Sequence, residues 1–302
     1  MNQEKLKSGF ITIIGRPNAG KSTFINQVLK QKVVITSDKP QTTRNQIQAI
    51  YNADDCQMIF IDTPGVHKPK HELGKVLNKT AFNALKEVDC ILFMADASET
   101  FSTGNRYILD QLKEIDTPVI LVLNKIDLLK KHQVIEAIET FSKEFDFADV
   151  VPISALTGEN VETLITVIKD KLPEGPRYYP LDMVTDHPER FIIGELIREK
   201  VLMKTREEVP HSVAVVIDQY KKRDNSDIID VYATIIVERP TQKAILIGKG
   251  GQMLKDIGTL ARMDIENLLG SRIYLELWVK VMENWRNRNN VLNQLGYREE
   301  PK

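Results

Sequence analysis

The loop Gly15-Arg16-Pro17-Asn18-Ala19-Gly20-Lys21-Ser22-Thr23 places two glycines ahead of a lysine and two hydroxyls. Glycines let successive backbone N–H groups turn inward around phosphate oxygens, and a following helix N-terminus adds a favourable partial charge. Lys21 then reaches the β- and γ-phosphates of a nucleotide, and the Ser22 hydroxyl is placed to ligate Mg²⁺. Further along, Asp62-Thr63-Pro64-Gly65 supplies a carboxylate for the same ion, direct or through water, and the Gly65 amide faces the γ-phosphate. Between these clusters lies a polar stretch ending Gln41-Thr42-Thr43-Arg44. A threonine there completes the magnesium shell and senses the γ-phosphate, and Thr42 and Thr43 both qualify. The cluster Asn124-Lys125-Ile126-Asp127 selects the base. The Asp127 carboxylate accepts both N1–H and the exocyclic N2 hydrogens of guanine, whereas adenine would leave a charged acceptor unpaired. Asn124 is expected at the other edge of the base, with the Lys125 stem along its plane. Ser154-Ala155-Leu156 could offer a backbone N–H to the guanine O6. The chemistry expected is Mg²⁺-dependent hydrolysis of GTP to GDP and phosphate. Val66 follows Gly65, and an aliphatic side chain cannot orient an attacking water. Slow intrinsic turnover is therefore expected, with water placed by backbone, cation or partner.

These clusters need strands ending at each of them. Phe10–Ile14 is an apolar run before the first loop, and Thr23–Leu29 reads as the helix after it. Gln57–Ile61, Val88–Ala95 and Pro118–Leu123 are continuous apolar runs, as central parallel strands require. Ile47, Ala49 and Tyr51 alternate as another strand, Val150–Ile153 forms the last, and Asn160–Ile168 is helical. The fold class predicted for this part is α/β, a mainly parallel sheet with helices on both faces. Three prolines and a glycine in Leu172–Leu181 break the pattern. The domains predicted are 1–175, a linker over 176–186, and 187–302. In the second domain an amphipathic helix over Pro188–Lys204 buries Phe191, Ile192, Leu196 and Ile197. Two antiparallel strands, Val213–Ile217 and Ile228–Val237, follow. Then come Thr241–Ile247, the tetrad Gly248-Lys249-Gly250-Gly251, a longer helix to about Leu269, the strand Arg272–Val281 and a helix from Glu283 carrying Trp285, Arg286 and Arg288.

The bulk composition narrows the setting. With 302 residues, two domains can each hold a core. A net charge of -1 means that any nucleic-acid surface is a local patch. The two cysteines, Cys56 and Cys90, sit in apolar segments, which excludes a disulfide framework and suits a reducing cytoplasm. Met1–Lys5 leads directly into the first strand, leaving no room for a leader, and no segment is apolar enough to span a bilayer. His67 and His71 have helical spacing, but Pro69 argues against one helix carrying both as metal ligands.

Gly15–Thr23, Gln41–Arg44, Asp62–Gly65, Asn124–Asp127 and Ser154–Leu156 together resemble the five-motif signature of the TRAFAC-class GTPases, in particular the bacterial translation-associated group lacking the catalytic Gln. Asn18 resembles the asparagine with which members hold a monovalent cation, K⁺, near the phosphates. The second part resembles a type II KH domain, an α+β fold whose GXXG loop matches Gly248–Gly251. That resemblance implies a clamp on nucleotide backbone at Ile247, Gly248, Lys249, Gly250, Gly251 and Lys255. Lys221, Lys222, Arg223, Lys243, Arg262 and Arg272 are further cations that could equally be a solvated surface. The pairing of both domains resembles a family of bacterial ribosome-assembly GTPases. It implies single-stranded rRNA of the 16S-type 3′ region and the pre-30S ribosomal particle as partners, a monomer, and cytoplasmic residence with peripheral association to the inner face of the cell membrane. Two rival classes remain from the residues alone. A metabolic phosphotransferase is disfavoured by Asn124–Asp127, and an RNA-binding protein with a decayed GTPase by the intact Lys21, Ser22, Asp62 and Asp127.

Overall fold

A computed structural model describes residues 6–39, 41–224 and 226–297. The start expected over Met1–Lys5 lies outside them. The chain divides into two compact units. One comprises residues up to Thr36, Thr43–Lys70 and Gly74–Asp186, and the other Ser37–Thr42, His71–Leu73 and His187 onward.

The first unit is built on a six-stranded sheet. Its strands are β1 (Lys7–Gly15), β2 (Ile47–Asn52), β3 (Cys56–Asp62), β4 (Cys90–Asp96), β5 (Val119–Asn124) and β6 (Asp149–Pro152), in the order β2-β3-β1-β4-β5-β6. All neighbours run parallel except β2 and β3. The apolar runs become strands buried along their whole length, β3 and β5 at every position. Helices α1 (Lys21–Leu29), α2 (Glu72–Asn83), α3 (Thr103–Leu112), α4 (Lys131–Ser142) and α5 (Val161–Lys171) are its other elements. The chain leaves β1 toward β3 on one side of the sheet and toward β4 on the other. Such a reversal opens a crevice at the carboxyl ends of the strands, where ligands of open α/β sheets bind. Both cysteines are buried and free. The proline-rich stretch after α5 has no helix and lies along this unit: the Ser8 hydroxyl donates to the Pro176 carbonyl at 2.7 Å, and the Val184 carbonyl accepts from the Ile50 amide at 2.9 Å.

In the second unit α6 (Glu189–Lys204), β7 (Ala214–Lys222), β8 (Ile229–Val237), α7 (Pro240–Ile247), α8 (Gln252–Leu269) and β9 (Ile273–Val281) follow in chain order, with α9 (Asn289–Gln294) last. The sheet order is β7-β8-β9, antiparallel then parallel. Two expectations are corrected. Helix α6 is not amphipathic: Ile192–Gly194 and Leu196–Leu202 are all buried. It buries charge because each charge is matched, Arg198 by Glu195 at 2.6 Å and Lys200 by Glu199 at 2.9 Å and Asp264 at 2.5 Å. No helix starts at Glu283 either. Asn284 adopts a left-handed φ of 54°, so Trp285–Asn287 form one tight turn before α9. No helix of the described residues is long and apolar enough to cross a membrane.

Candidate active site and nucleic-acid interface

Four of the five predicted clusters lie at the carboxyl ends of strands of the first unit, and Gln41–Arg44 lies in the loop between α1 and β2. Gly15 ends β1, Asp62 ends β3, Asn124 ends β5, and Ser154 follows β6. The phosphate loop closes on the first turn of α1, whose N-cap is Gly20 with no side chain capping it, so the first N–H groups stay open to an anion. Gly20 has a φ of 98°, and a Cβ there would lie 2.0 Å from Asn124 Nδ2. Gly65 packs against the same loop, where a Cβ would meet Pro17 Cα at 2.7 Å. The imidazole Nδ1 of His67 lies 3.0 Å from the Gly65 carbonyl. Lys21 is buried and donates to the Arg16 carbonyl at 3.3 Å.

Ser22, Thr43 and Asp62 converge on one point. The Ser22 hydroxyl donates to Asp62 Oδ2 at 2.8 Å and lies 3.0 Å from the Thr43 hydroxyl, which itself donates to Asp62 Oδ2 at 3.2 Å. Thr42 is not in this set: its hydroxyl donates to the Lys39 carbonyl at 2.6 Å, and its own carbonyl accepts from Arg198. The geometry therefore separates the two threonines and gives the ligand position to Thr43. Burial pushes the Asp62 carboxyl up against the opposing pull of Lys21, and burial pushes the Lys21 ammonium down. Val66 points away, buried in the apolar cluster with Ile14 and Phe93. No side chain at that position faces the phosphates.

At the base end, Asp127 is exposed, and its Oδ1 accepts the Ser154 hydroxyl at 2.6 Å. Lys125 has a left-handed φ of 68°, and its ammonium is tied to Asp96 at 2.5 Å, which fixes the aliphatic stem. Burial alone would push the Asp96 carboxyl up, but the hydrogen bonds from Lys125 and Ser98 outweigh it and hold it below the usual carboxylate range.

The structure adds a role for Asn124. Its Nδ2 donates to the Ala19 carbonyl at 2.8 Å, and its Oδ1 accepts from the Lys125 amide at 2.8 Å and the Ala155 amide at 2.9 Å. Asn124 is thus a brace joining three loops, and its Nδ2 carries a second hydrogen beyond the one given to Ala19. In the last cluster the Ala155 amide donates to Asn124 and the Ser154 amide to the Glu159 carbonyl at 3.0 Å. Of the three residues expected near O6, Leu156 is the one displayed, at 75% exposure.

In the second unit, Gly248-Lys249-Gly250-Gly251 joins α7 to α8 as one tight turn. Gly248, Gly250 and Gly251 all have positive φ, and nothing lies within 4 Å of where a Cβ of Gly250 or Gly251 would sit. Lys249 and Lys255 are exposed and Ile247 is half-buried. Beside the loop is an open cleft of about 320 Å³ between α8 and β9, lined by Leu254, Lys255, Gly258, Arg262, Glu276 and Leu277 among others. Arg262, one of the further cations named from sequence, lines this cleft, whereas the β9 residues were not singled out from sequence. The signal was present on α8, where Gly251, Leu254, Lys255, Gly258 and Arg262 recur at helical spacing on one face.

Residues 10–125 match the family described as 50S ribosome-binding GTPase, and residues 208–286 match the KH domain. The solved structure of a variant of Era from Aquifex aeolicus bound to GDP and AlF4⁻ is 42% identical, covers 97% of this chain and 99% of that one, and has a TM-score of 0.94. Era solved in complex with MgGDPNP and nucleotides 1506–1542 of 16S ribosomal RNA is 43% identical with the same coverage and a TM-score of 0.94. The chain belongs to the Era family. Its first unit is the GTPase domain and its second the KH domain. The Era-type active site has the donors that a guanine nucleotide with Mg²⁺ requires. Asp62 Oδ1 is buried with no hydrogen-bond partner, an acceptor suited to a metal-bound water. The uncapped first turn of α1 and the bare glycine backbone leave room for phosphate oxygens.

Proposed function

We propose that this protein is a Mg²⁺-dependent GTPase switch that binds single-stranded rRNA, the 3′ region of the small-subunit RNA, and acts on the pre-30S particle during small-subunit assembly. The observation that carries this reading is the likeness, over 97% of the chain, to an Era that holds both MgGDPNP and a 16S rRNA segment. Mg²⁺ supplies charge neutralisation of the β- and γ-phosphates when bound. Ser22, Thr43 and Asp62 hold it, Lys21 pairs with the phosphate oxygens, and the Gly65 amide donates to the γ-phosphate. Asp127 reads guanine, held in place by Ser154. The buried Val66 leaves no side chain to orient water, so intrinsic turnover is slow. Asn18, exposed with a left-handed φ of 63°, contributes to a K⁺ site beside the phosphates. Replacing K⁺ by Na⁺ lowers the hydrolysis rate on this reading, and an unchanged rate removes the site. Cytoplasmic residence, a monomeric state and peripheral contact with the inner face of the cell membrane belong to the same proposal and rest on the family resemblance alone.

The switch works by differential affinity: GTP orders the Thr43 loop and the segment after Gly65, and this order changes RNA affinity. The test is binding to a pool of single-stranded RNA with a GTP analogue and then with GDP, beside a variant carrying Lys249→Asp and Gly250→Asp. Nucleotide-dependent binding that is lost in the variant supports the reading. Equal affinity in both nucleotide states refutes the switch, since a ligand without differential affinity shifts nothing. The description of the matched GTPase family names the large subunit, so co-sedimentation with isolated subunits decides between the two particles.

A further inference from the structure

The two tryptophans of this chain have opposite environments. Trp285 is fully buried, and its Nε1 donates to the Ser212 carbonyl at 2.9 Å, as in any satisfied core indole. Trp278, on β9, is 60% exposed. Strand alternation puts Tyr274, Glu276, Trp278 and Lys280 on one face of β9 and Leu275, Leu277 and Val279 on the other, the face against which α8 packs. The outward face is aromatic. Tyr274 is 44% exposed, its ring centroid lies 5.9 Å from that of Tyr232, and the Arg223 guanidinium sits 5.6 Å from it. The acids there are already occupied: Asp230 pairs with Arg223 at 2.6 Å, and Glu276 accepts the Tyr274 hydroxyl at 3.0 Å.

The cleft lies on the opposite face of β9, and the two meet at the strand edge, where Glu276 belongs to the outward face and also lines the cleft. Leu275, Glu276 and Leu277 are cleft wall, Tyr274 and Trp278 flank them on the same strand, and β9 is the edge of its sheet, so a chain can pass over it. A GXXG loop clamps about four nucleotides, and a longer single strand must leave the cleft somewhere. We propose that single-stranded RNA leaving the cleft crosses the edge of β9 and stacks its bases on Trp278 and Tyr274. This inference rests on the RNA-binding reading above and extends its site from the groove to the outer sheet face. Base stacking on an exposed indole is strong and tolerant of sequence, because every base offers a π-face. The surface therefore supplies length-dependent affinity rather than base identity.

The full chain with a GTP analogue is titrated with oligo-adenylates of four and of twelve nucleotides. Binding and tryptophan emission are followed, and acrylamide quenching is measured on each complex. Trp285 is inaccessible to the quencher, so accessibility reports Trp278. The twelve-mer should quench emission and shield Trp278 from acrylamide, and the four-mer should do neither. Trp278→Ala should weaken the twelve-mer about tenfold and leave the four-mer unchanged, a loss expected of one stacked base. The Lys249→Asp, Gly250→Asp variant should lose both. If Trp278 stays open to acrylamide in the twelve-mer complex, or Trp278→Ala binds it like the parent chain, the stacking surface is wrong while the cleft stands. Shielding of Trp278 by small subunits but not by RNA would overturn it in favour of a protein partner. No RNA binding by the parent chain overturns both readings.

Discussion

Asn124→Ala separates two roles that an Asn at the base site can play. The side chain is 2% exposed and holds the Ala19 carbonyl, the Lys125 amide and the Ala155 amide. Truncation leaves all three without their partner. At about 1 kcal/mol net for each bond, the nucleotide-free protein should lose about 3 kcal/mol, roughly a hundredfold in its folding equilibrium. The loops carrying Ala19, Lys125 and Ala155 also lose their common anchor, so affinity for GDP and GTP falls together. The assay is urea unfolding of the nucleotide-free chain, followed by competition binding of GTP and 7-deaza-GTP, which lacks the N7 acceptor. A brace predicts a large drop in the unfolding midpoint and an unchanged ratio of the two nucleotide affinities. A residue that contacts the base would leave the midpoint in place and bring the two affinities together. That second pattern would refute the brace.

Asp127→Asn exchanges a carboxylate for an amide that both donates and accepts. GTP affinity should fall about ten- to a hundredfold, the worth of a charge-assisted bond, and XTP, with a carbonyl in place of the guanine amine, should gain; competition binding checks both. Val66→Gln should cost about 1–3 kcal/mol by burying an amide in the apolar cluster, and it should leave single-turnover hydrolysis no faster. Burial pushes the Cys90 thiol up to about 12. Because its folded value lies above the ordinary thiol value, its contribution to stability is full below about 8.5 and is lost as pH rises toward 12. At pH 9 the folded chain should therefore react with a thiol reagent only as fast as it opens, and GDP should slow that reaction further; immediate labelling would contradict the burial.

The parallel sheet and the nucleotide site were legible in sequence because each constraint is local. A glycine loop between an apolar run and a helix, and a carboxylate at the end of another run, each specify strand-end chemistry without knowledge of the partner strands. Roles set by long-range hydrogen bonds were not legible. Nothing in the Asn124 tetrad states that its amide is spent on Ala19 and Ala155, which come from distant parts of the chain. The choice between Thr42 and Thr43 was equally hidden, since adjacent hydroxyls differ only in which way the loop turns them. Helix α6 failed the periodicity test for a related reason. Its polar residues are buried as matched pairs, and a hydropathy pattern cannot distinguish a charge facing water from one facing Asp264. The cleft beside Gly248–Gly251 falls between these cases. Its helical wall follows from spacing on α8, but its second wall requires knowing that β9, remote from β7 in sequence, ends the sheet. Motifs read from spacing thus identify which groups can react, while the groups that hold them in place emerge only once the sheet order is known.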